Sequence, residues 1–530
     1  MATILSTFTL TSSNPQLPQQ ALNPTMLYLP SLISVSLLIF HLPISVSFLL
    51  GKPLYSSLTR YALKLENGQA WRLYSSLPIK VNNSYETTIT FCTSHDHGVP
   101  LLVRIALLPD SSSELEYVLD RYSPCYPDKG NVTVLEDFKY RSIDGDLVGV
   151  VGDSWLLKAD HVPVTWHSTR GVKEESFDEI KSALLKDVAG LCSSEITTIS
   201  AYYHGKFIAR AARLALIAEE IGFLEVIPAV KKFLYETIQP WLDGTFDDNG
   251  FPYDAKWGRI VIKRFSCQGF DSEAYGCHHY HLGYFLYGIA VLAKIDPSWG
   301  LKYKPHAYSL MTDFMNLGAE YHLNLKNYTR LRCFDLYTLH SWGGQSPRGQ
   351  GREQDSTSEA VNAYYLAALM GVVYGDNNLC AIGSTLASLE IHATKMWCHV
   401  KEGDNLYEEE FAKENKLVGY FSANMRMRKM RYCYSEKDLK VSFHVLPLLP
   451  ISECLFSNLD FVKELVEWKP QFGYGIGDGW KGFVHALEGI YDNQIALKKI
   501  RSLKCFDCGN SLSNLLWWIH SRDSEENCNL

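Results

Sequence analysis

Asp355 and Glu359 stand four positions apart in Gln354-Asp355-Ser356-Thr357-Ser358-Glu359-Ala360-Val361, at the head of an apolar, tyrosine-bearing run. On a helix that spacing puts both side chains on one face. Hydrolysis of a glycosidic bond needs two carboxyl groups, one to protonate the leaving oxygen and one to activate water or attack. The same letters carry a second reading: Ser356-Thr357-Ser358-Glu359 is a capping box, with Ser356 as the cap and Glu359 returning a hydrogen bond to the cap amide.

A second word with chemistry is His278-His279-Tyr280-His281, which runs on as Leu282-Gly283-Tyr284-Phe285-Leu286-Tyr287. Three histidines could bind a metal. The Tyr- and Phe-rich continuation argues instead for a surface where sugar C–H faces lie on rings and imidazoles hydrogen-bond hydroxyls. The plainer alternative makes the aromatics core and the histidines their satisfied polar neighbours. Tyr253-Asp254-Ala255-Lys256-Trp257-Gly258, and Arg332-Cys333-Phe334-Asp335-Leu336-Tyr337 with His340-Ser341-Trp342, share this mixture of aromatic and charged residues.

These words need a scaffold, and the chain supplies two styles of patterning. From Tyr61 to about Ala159 short alternating runs predict strands, with a hairpin turning at Asn67-Gly68, further strands at Ile89–Phe91 and Leu101–Leu108, and another pair around Asp144-Gly145. An antiparallel β-sandwich is the natural architecture. His161 to about Leu191 is more polar and reads as a connector. From about Tyr202 the period becomes helical, through Phe207–Leu214 and Val226–Trp241, with further helices expected at about 279–296, 304–318, 358–374, 379–399, 455–468, 479–502 and 510–521. Alternating helices without a strict repeat predict an irregular helical toroid, with functional loops gathered at one end.

Composition narrows the function. The 530 residues carry a net charge of −8 and no basic stretch interleaved with aromatics, which argues against a nucleic-acid partner. Thirteen cysteines, an odd number, are scattered, so disulfides are not the main support. Cys505 and Cys508 form a CxxC, but the second pair that a zinc site needs is missing, and no metal is expected there. Asn82, Asn131 and Asn327 each open an N-x-S/T triplet that matters only in the secretory pathway. The first 51 residues hold no Asp, Glu, Lys or Arg, and Met26–Leu50 is strongly apolar. A membrane segment or signal is weighed there against buried strands or a leader; Pro30, Pro43 and the missing basic flank favour the latter.

Taken together the words resemble the plant branch of glycoside hydrolase family 81, endo-β-1,3-glucanases related to the glucan-elicitor-binding proteins of legumes. The resemblance rests on His278–Phe285, on Arg332–Asp335 with His340-Ser341-Trp342, and on Ser356–Tyr365, and it covers roughly Asn131 to Arg522. It implies an N-terminal antiparallel β-sandwich, a small connecting domain and a C-terminal (α/α)6 helical barrel. The corresponding spans here are a divergent apolar segment at 1–60, the sandwich at 61–160, the connector at 161–195, the barrel at 196–522 and a tail at 523–530. It also implies inverting hydrolysis of β-1,3-glucan without cofactor or metal. The substrate residues expected are Tyr253, Lys256, Trp257, His278, His279, His281, Asp335, His340 and Asn362.

The family's motif carries two glutamates where this chain has Asp355 and Glu359, assigned jointly to the water-activating base side. Its acidic general acid is replaced by Cys277, in Tyr275-Gly276-Cys277-His278-His279, with Asp271 and Glu273 close upstream as substitutes. A thiol, with a reference pKa of about 8.5, is a poorer proton donor than a tuned carboxylic acid. The alternative function is therefore a catalytically impaired β-glucan-binding protein. Further departures come in blocks, at Gly343–Glu353 and in the basic, Met-rich Gly419–Phe443, as altered exon joining would leave them. A wall polysaccharide as substrate, with the three triplets, places the chain outside the cell or at the wall or plasma membrane, although no clean signal peptide accompanies it.

Overall fold

The computed structural model describes side chains within 162–522, apart from 194–195, 197, 247–248, 263–277, 318–327, 330, 336–339, 345–351, 402–406, 420–440 and 469–476; the strands within 33–158 and 420–427 are described as backbone. Cys277, Asp271, Glu273 and the acceptor asparagines Asn82, Asn131 and Asn327 lie outside the described residues.

The upstream strands pair as antiparallel ladders in four small sheets. Ile33–Ile39 pairs with Leu42–Phe48, so the apolar leader contains a strand pair. Thr59–Lys64 pairs with Ala70–Ser75, with Lys64 opposite Ala70, so the expected strand pair is present, and Asn67-Gly68 itself lies outside the described residues. Thr88–Cys92 lies between Ile79–Val81 and Ser154–Lys158, and Gly145–Val151 between Leu102–Leu107 and Thr133–Ser142. No helix among the described residues is long and apolar enough to cross a membrane.

The helices are α1 (Phe177–Ser193), α2 (Ala201–Glu220), α3 (Ile227–Leu242), α4 (His279–Ile295), α5 (Pro297–Met315), α6 (Thr357–Tyr374) and α7 (Asn377–Ala393). After them come α8 (Glu409–Glu414), α9 (Ser452–Leu455), α10 (Leu459–Glu467), α11 (Asp478–Glu488), α12 (Asn493–Arg501) and α13 (Leu512–His520). α2, α4 and α6 lie side by side, α3, α5 and α7 back them, and α13 closes against α1 and α2. The inner helices lack a polar face because they have neighbours all round: every residue from His279 to Ala293 and from Thr357 to Gly371 is buried. Close approach depends on small residues. A Cβ on Gly283 would lie 3.2 Å from the Ala363 Cα, and one on Gly288 would lie 2.1 Å from Ile208 Cγ2.

The differences from expectation have physical reasons. The stretch expected as connector contains α1, whose Ile180, Leu184, Val188 and Leu191 are buried, although exposed Lys, Asp and Glu make the letters look polar. α5 begins at Pro297, capped by Asp296, and carries Pro305 in its interior, close to where the sequence suggested a start. The expected 479–502 helix is two, parted after Gly489 and restarted at the Asp492 cap, and 455–468 is likewise broken before the Asn458 cap.

Candidate active site

The first turn of α6 is built by its cap. Ser356 has extended backbone, its Oγ accepts from the Glu359 amide at 3.4 Å, and the same hydroxyl donates to Phe443 O at 2.6 Å. Thr357 and Ser358 are tied to the same segment, through His444 Nδ1 at 3.0 Å and through Leu446 O. The helix therefore starts after Asp355. The spacing suggested that the carboxylate pair shares a helical face, but Asp355 precedes the Ser356 cap and only Glu359 is on the helix.

Glu359 does not close the reciprocal half of a capping box. Its Oε1 accepts from the Tyr284 hydroxyl at 2.7 Å, so its carboxylate is aimed at α4. Only 3% of Glu359 is exposed. Burial pushes its carboxyl up, while the charge of Lys206 and hydrogen bonds from Tyr284 and Tyr202 pull it back. Asp355 is half-buried. Withdrawal from water, followed by the charges of Glu353 and Glu359, pushes Asp355 up to about 7.

At the head of α4, His278 caps the helix. Its Nδ1 accepts from the Tyr280 amide at 3.4 Å, and the His278 amide donates to His281 Nδ1 at 3.4 Å. His279 Nε2 lies 2.8 Å from Ser341 Oγ. His279 is 0% exposed and His281 1%, so both hold the loop framework and present almost no surface to a ligand. Burial first, then the neighbouring histidines and the guanidinium groups of Arg332 and Arg352, keeps His278 and His279 well below the usual histidine range, hence neutral. Among the described residues no group of three or more His, Cys, Asp or Glu is arranged to hold a metal.

Tyr253-Asp254 pairs with Arg259-Ile260 around a turn in which Asp254 Oδ1 accepts from the Lys256 amide at 2.9 Å and the Trp257 amide at 3.2 Å. Gly258 takes φ 60°, a conformation that glycine adopts without strain. This turn leaves Trp257 60% exposed, and the Tyr253 ring meets that of Tyr328 at a tilt of 53°, with centroids 4.7 Å apart. Asp335 pairs with His340 across a short ladder and accepts from Trp342 Nε1 at 3.3 Å. His340 is buried between Trp342 and Trp397, with ring centroids 4.4 and 5.6 Å away. Asn362 is buried on α6, and its Oδ1 has no hydrogen-bond partner among the described residues.

Sequence reasoning missed the residues that bind these loops together. Glu390 on α7 is fully buried; it accepts from the Ser341 amide at 2.7 Å and from Gln354 Nε2. It thus joins the His340-Ser341 strand to the residue before Asp355. Burial pushes Glu390 up to about 8, against the hydrogen bonds from Gln354 and Ser341. A lone acid in the apolar run Leu386–Ala393 was the signal that could have found it. Gln354 pairs with Phe421, so the Met-rich block that departs from the resemblance forms part of a three-stranded sheet beside the carboxylates. Lys206 was missed in the same way, as a cation within an apolar helix.

Comparison with known proteins decides the family. The family description "Glycosyl hydrolase family 81 C-terminal domain" matches residues 171–519, and "Glycosyl hydrolase family 81 N-terminal domain" matches 45–137. The chain belongs to glycosyl hydrolase family 81. The family match therefore begins well before Asn131 and enters the segment expected to diverge. A glucan endo-1,3-beta-D-glucosidase of Glycine max is 54% identical over 514 residues, covering 88% of this chain and 76% of that protein. One from Arthroderma benhamiae is 27% identical over 378 residues, covering 67% of this chain and 40% of that protein. Among solved structures, glycoside hydrolase family 81 from Clostridium thermocellum superposes with a TM-score of 0.66 at 17% identity, covering 92% of this chain and 69% of that one. The helix-rich part of this family 81 chain has the fold of that structure.

Proposed function

We propose that the chain hydrolyses internal β-1,3-glucosidic bonds of β-glucans with inversion, and that Asp355 and Glu359 form the base side. The observation that carries this reading is the division of labour in the pair. Asp355 is partly exposed, with a pKa near 7 and so poised to take a proton from water, while Glu359 sits behind it, held by Tyr284. Inverting hydrolysis needs an acid about 6.5–9.5 Å from the base, with water between them. In this chain that side falls to the segment with Cys277 and Asp271. Exposed Trp257, with Tyr253, Lys256 and Asp335 on neighbouring turns, serves as a platform for sugar rings, and buried His278, His279, His281, His340 and Asn362 shape the cleft behind it. The upstream ladders make up a β-sandwich, and the helices an (α/α)6 barrel. A wall polysaccharide as substrate places the protein outside the cell or at the wall or plasma membrane.

One feature favours a second reading, in which the chain binds β-1,3-glucan and cuts it poorly: a thiol stands where the family's acid is expected. Reducing-end release from a linear β-1,3-glucan by the native chain and by Cys277→Asp separates the two. A large gain in the variant places Cys277 at the acid position. Equal, measurable rates assign the acid to another group, and glucan binding without hydrolysis by either protein sinks the enzyme reading.

A further inference from the structure

Beyond the tyrosines that pack against Glu359 lies a charge that the reaction scheme above does not use. Lys206 on α2 is 2% exposed, and no other lysine among the described residues is so buried. Its Nζ lies 2.8 Å from each carboxylate oxygen of Asp507, 5.3 Å from the centre of the Tyr202 ring and 5.6 Å from that of Trp480. Asp507 belongs to the loop between α12 and α13, inside the CxxC word, and its Oδ1 also accepts from the Gly509 amide at 2.9 Å. Gly509 leaves room for the lysine stem, since a Cβ there would lie 3.0 Å from Lys206 Cε. On the other side, Tyr202 meets Tyr284 edge to face at 5.8 Å, and Tyr284 donates to Glu359.

A buried ion pair is a poor device for stability alone, because an apolar pair of similar volume commonly serves as well or better. A buried carboxylate that must keep its charge does need a positive neighbour. We infer that Lys206, fixed by Asp507, is a positioning residue for Glu359: its ammonium, set behind Tyr202 and Tyr284, supplies the positive charge that the buried carboxylate requires. The inference rests on reading Glu359 as part of the base side, and it brings the α12–α13 loop into the active site. The electrostatics agree. Burial alone would discharge Lys206, but Asp507, Cys508 and Glu359 together hold it above the usual lysine range. The titratable groups facing this site are Tyr202 and Lys206 from α2, His281 and Tyr284 from α4, Glu353 and Asp355 before α6, and Asp507 and Cys508 from the loop.

The test is a direct titration of Glu359. Protein labelled with carbon-13 at glutamate carboxyls is followed by NMR across pH, and the Glu359 signal is assigned by its loss in Glu359→Gln. In Lys206→Met the midpoint rises by about one pH unit or more, and in Lys206→Arg it stays near the native value. Should Lys206→Met fail to fold, Lys206→Met with Asp507→Leu removes both charges together and gives a smaller rise, because loss of the Asp507 anion opposes loss of the lysine. An unmoved midpoint in the methionine variants overturns the inference, as does an equal rise in the arginine variant. The pH profile of glucan hydrolysis is recorded alongside. A shifted midpoint without any hydrolysis sinks the catalytic reading and leaves Lys206 in its role; hydrolysis with an unshifted midpoint does the reverse.

Discussion

Tyr284 and Glu359, 75 positions apart in sequence, meet at 2.7 Å through the phenol hydroxyl and Oε1. The contact crosses from α4 to α6 where Gly283 and Ala363 let the two helices approach closely. Burial and the Glu359 charge hold the phenol well above its usual range, so it stays a donor. Tyr284→Phe removes a hydrogen bond to a charged group, worth about 1.5–3 kcal/mol. The expected outcome is a drop of roughly tenfold to a hundredfold in kcat with KM little changed. Steady-state kinetics on a linear β-1,3-glucan across pH check it; a pure KM effect would assign the tyrosine to substrate binding.

Asp355 sets a second pH signature. Its carboxyl is pushed up to about 7, so the group is protonated below that pH and cannot accept a proton from water. Activity is expected to fall as pH drops through about 7. Asp355→Asn should remove that limb together with about a hundredfold to ten-thousandfold of the rate, the usual contribution of a general base. If the limb survives in the asparagine variant, another group controls it.

Glu390 makes stability fall as pH rises. Its ordinary pKa is 4.5 and its folded value about 8, so between these the native state binds the extra proton. Stability from this group is present at low pH and is lost as pH climbs through that window. Glu390→Gln keeps an acceptor for the Ser341 amide and cannot titrate. Thermal melts from pH 5 to pH 8.5 should decline less steeply in the variant, and parallel curves would show that the carboxyl is not what titrates.

Trp257 tests the sugar platform with little risk to the fold. At 60% exposed it contributes little to packing, so Trp257→Ala should leave thermal stability within about 0.5 kcal/mol of native. Losing a ring under a sugar should weaken glucan oligosaccharide binding by about tenfold, at roughly 1 kcal/mol or more per stacked ring. Calorimetric titration with a β-1,3-glucan oligomer measures it; an unchanged Kd would move the platform elsewhere.

Much of this arrangement was legible because it depends on local order. The apolar run after Ser356 and the alternation either side of Asn67-Gly68 act within a few residues, and the helix and the strand pair they mark are found where the letters place them. The miss at α1 arose because its buried stripe, Ile180, Leu184, Val188 and Leu191, is spaced among charged residues that face water. Glu390, Lys206 and Asp507 stayed hidden for another reason: a buried charge is recognised by its partner, and these partners are 49, 36 and 301 positions away for the Ser341, Gln354 and Asp507 contacts.

By itself the sequence determined that Asp355 and Glu359 flank the cap of an apolar helix, among words long enough to mark a glycoside hydrolase family. It could not say which of the two meets water. That was decided by the tertiary structure, because burial, hydrogen-bond donors and neighbouring charges come from α2, α4 and the α12–α13 loop, elements that only the folded chain brings together around one carboxylate.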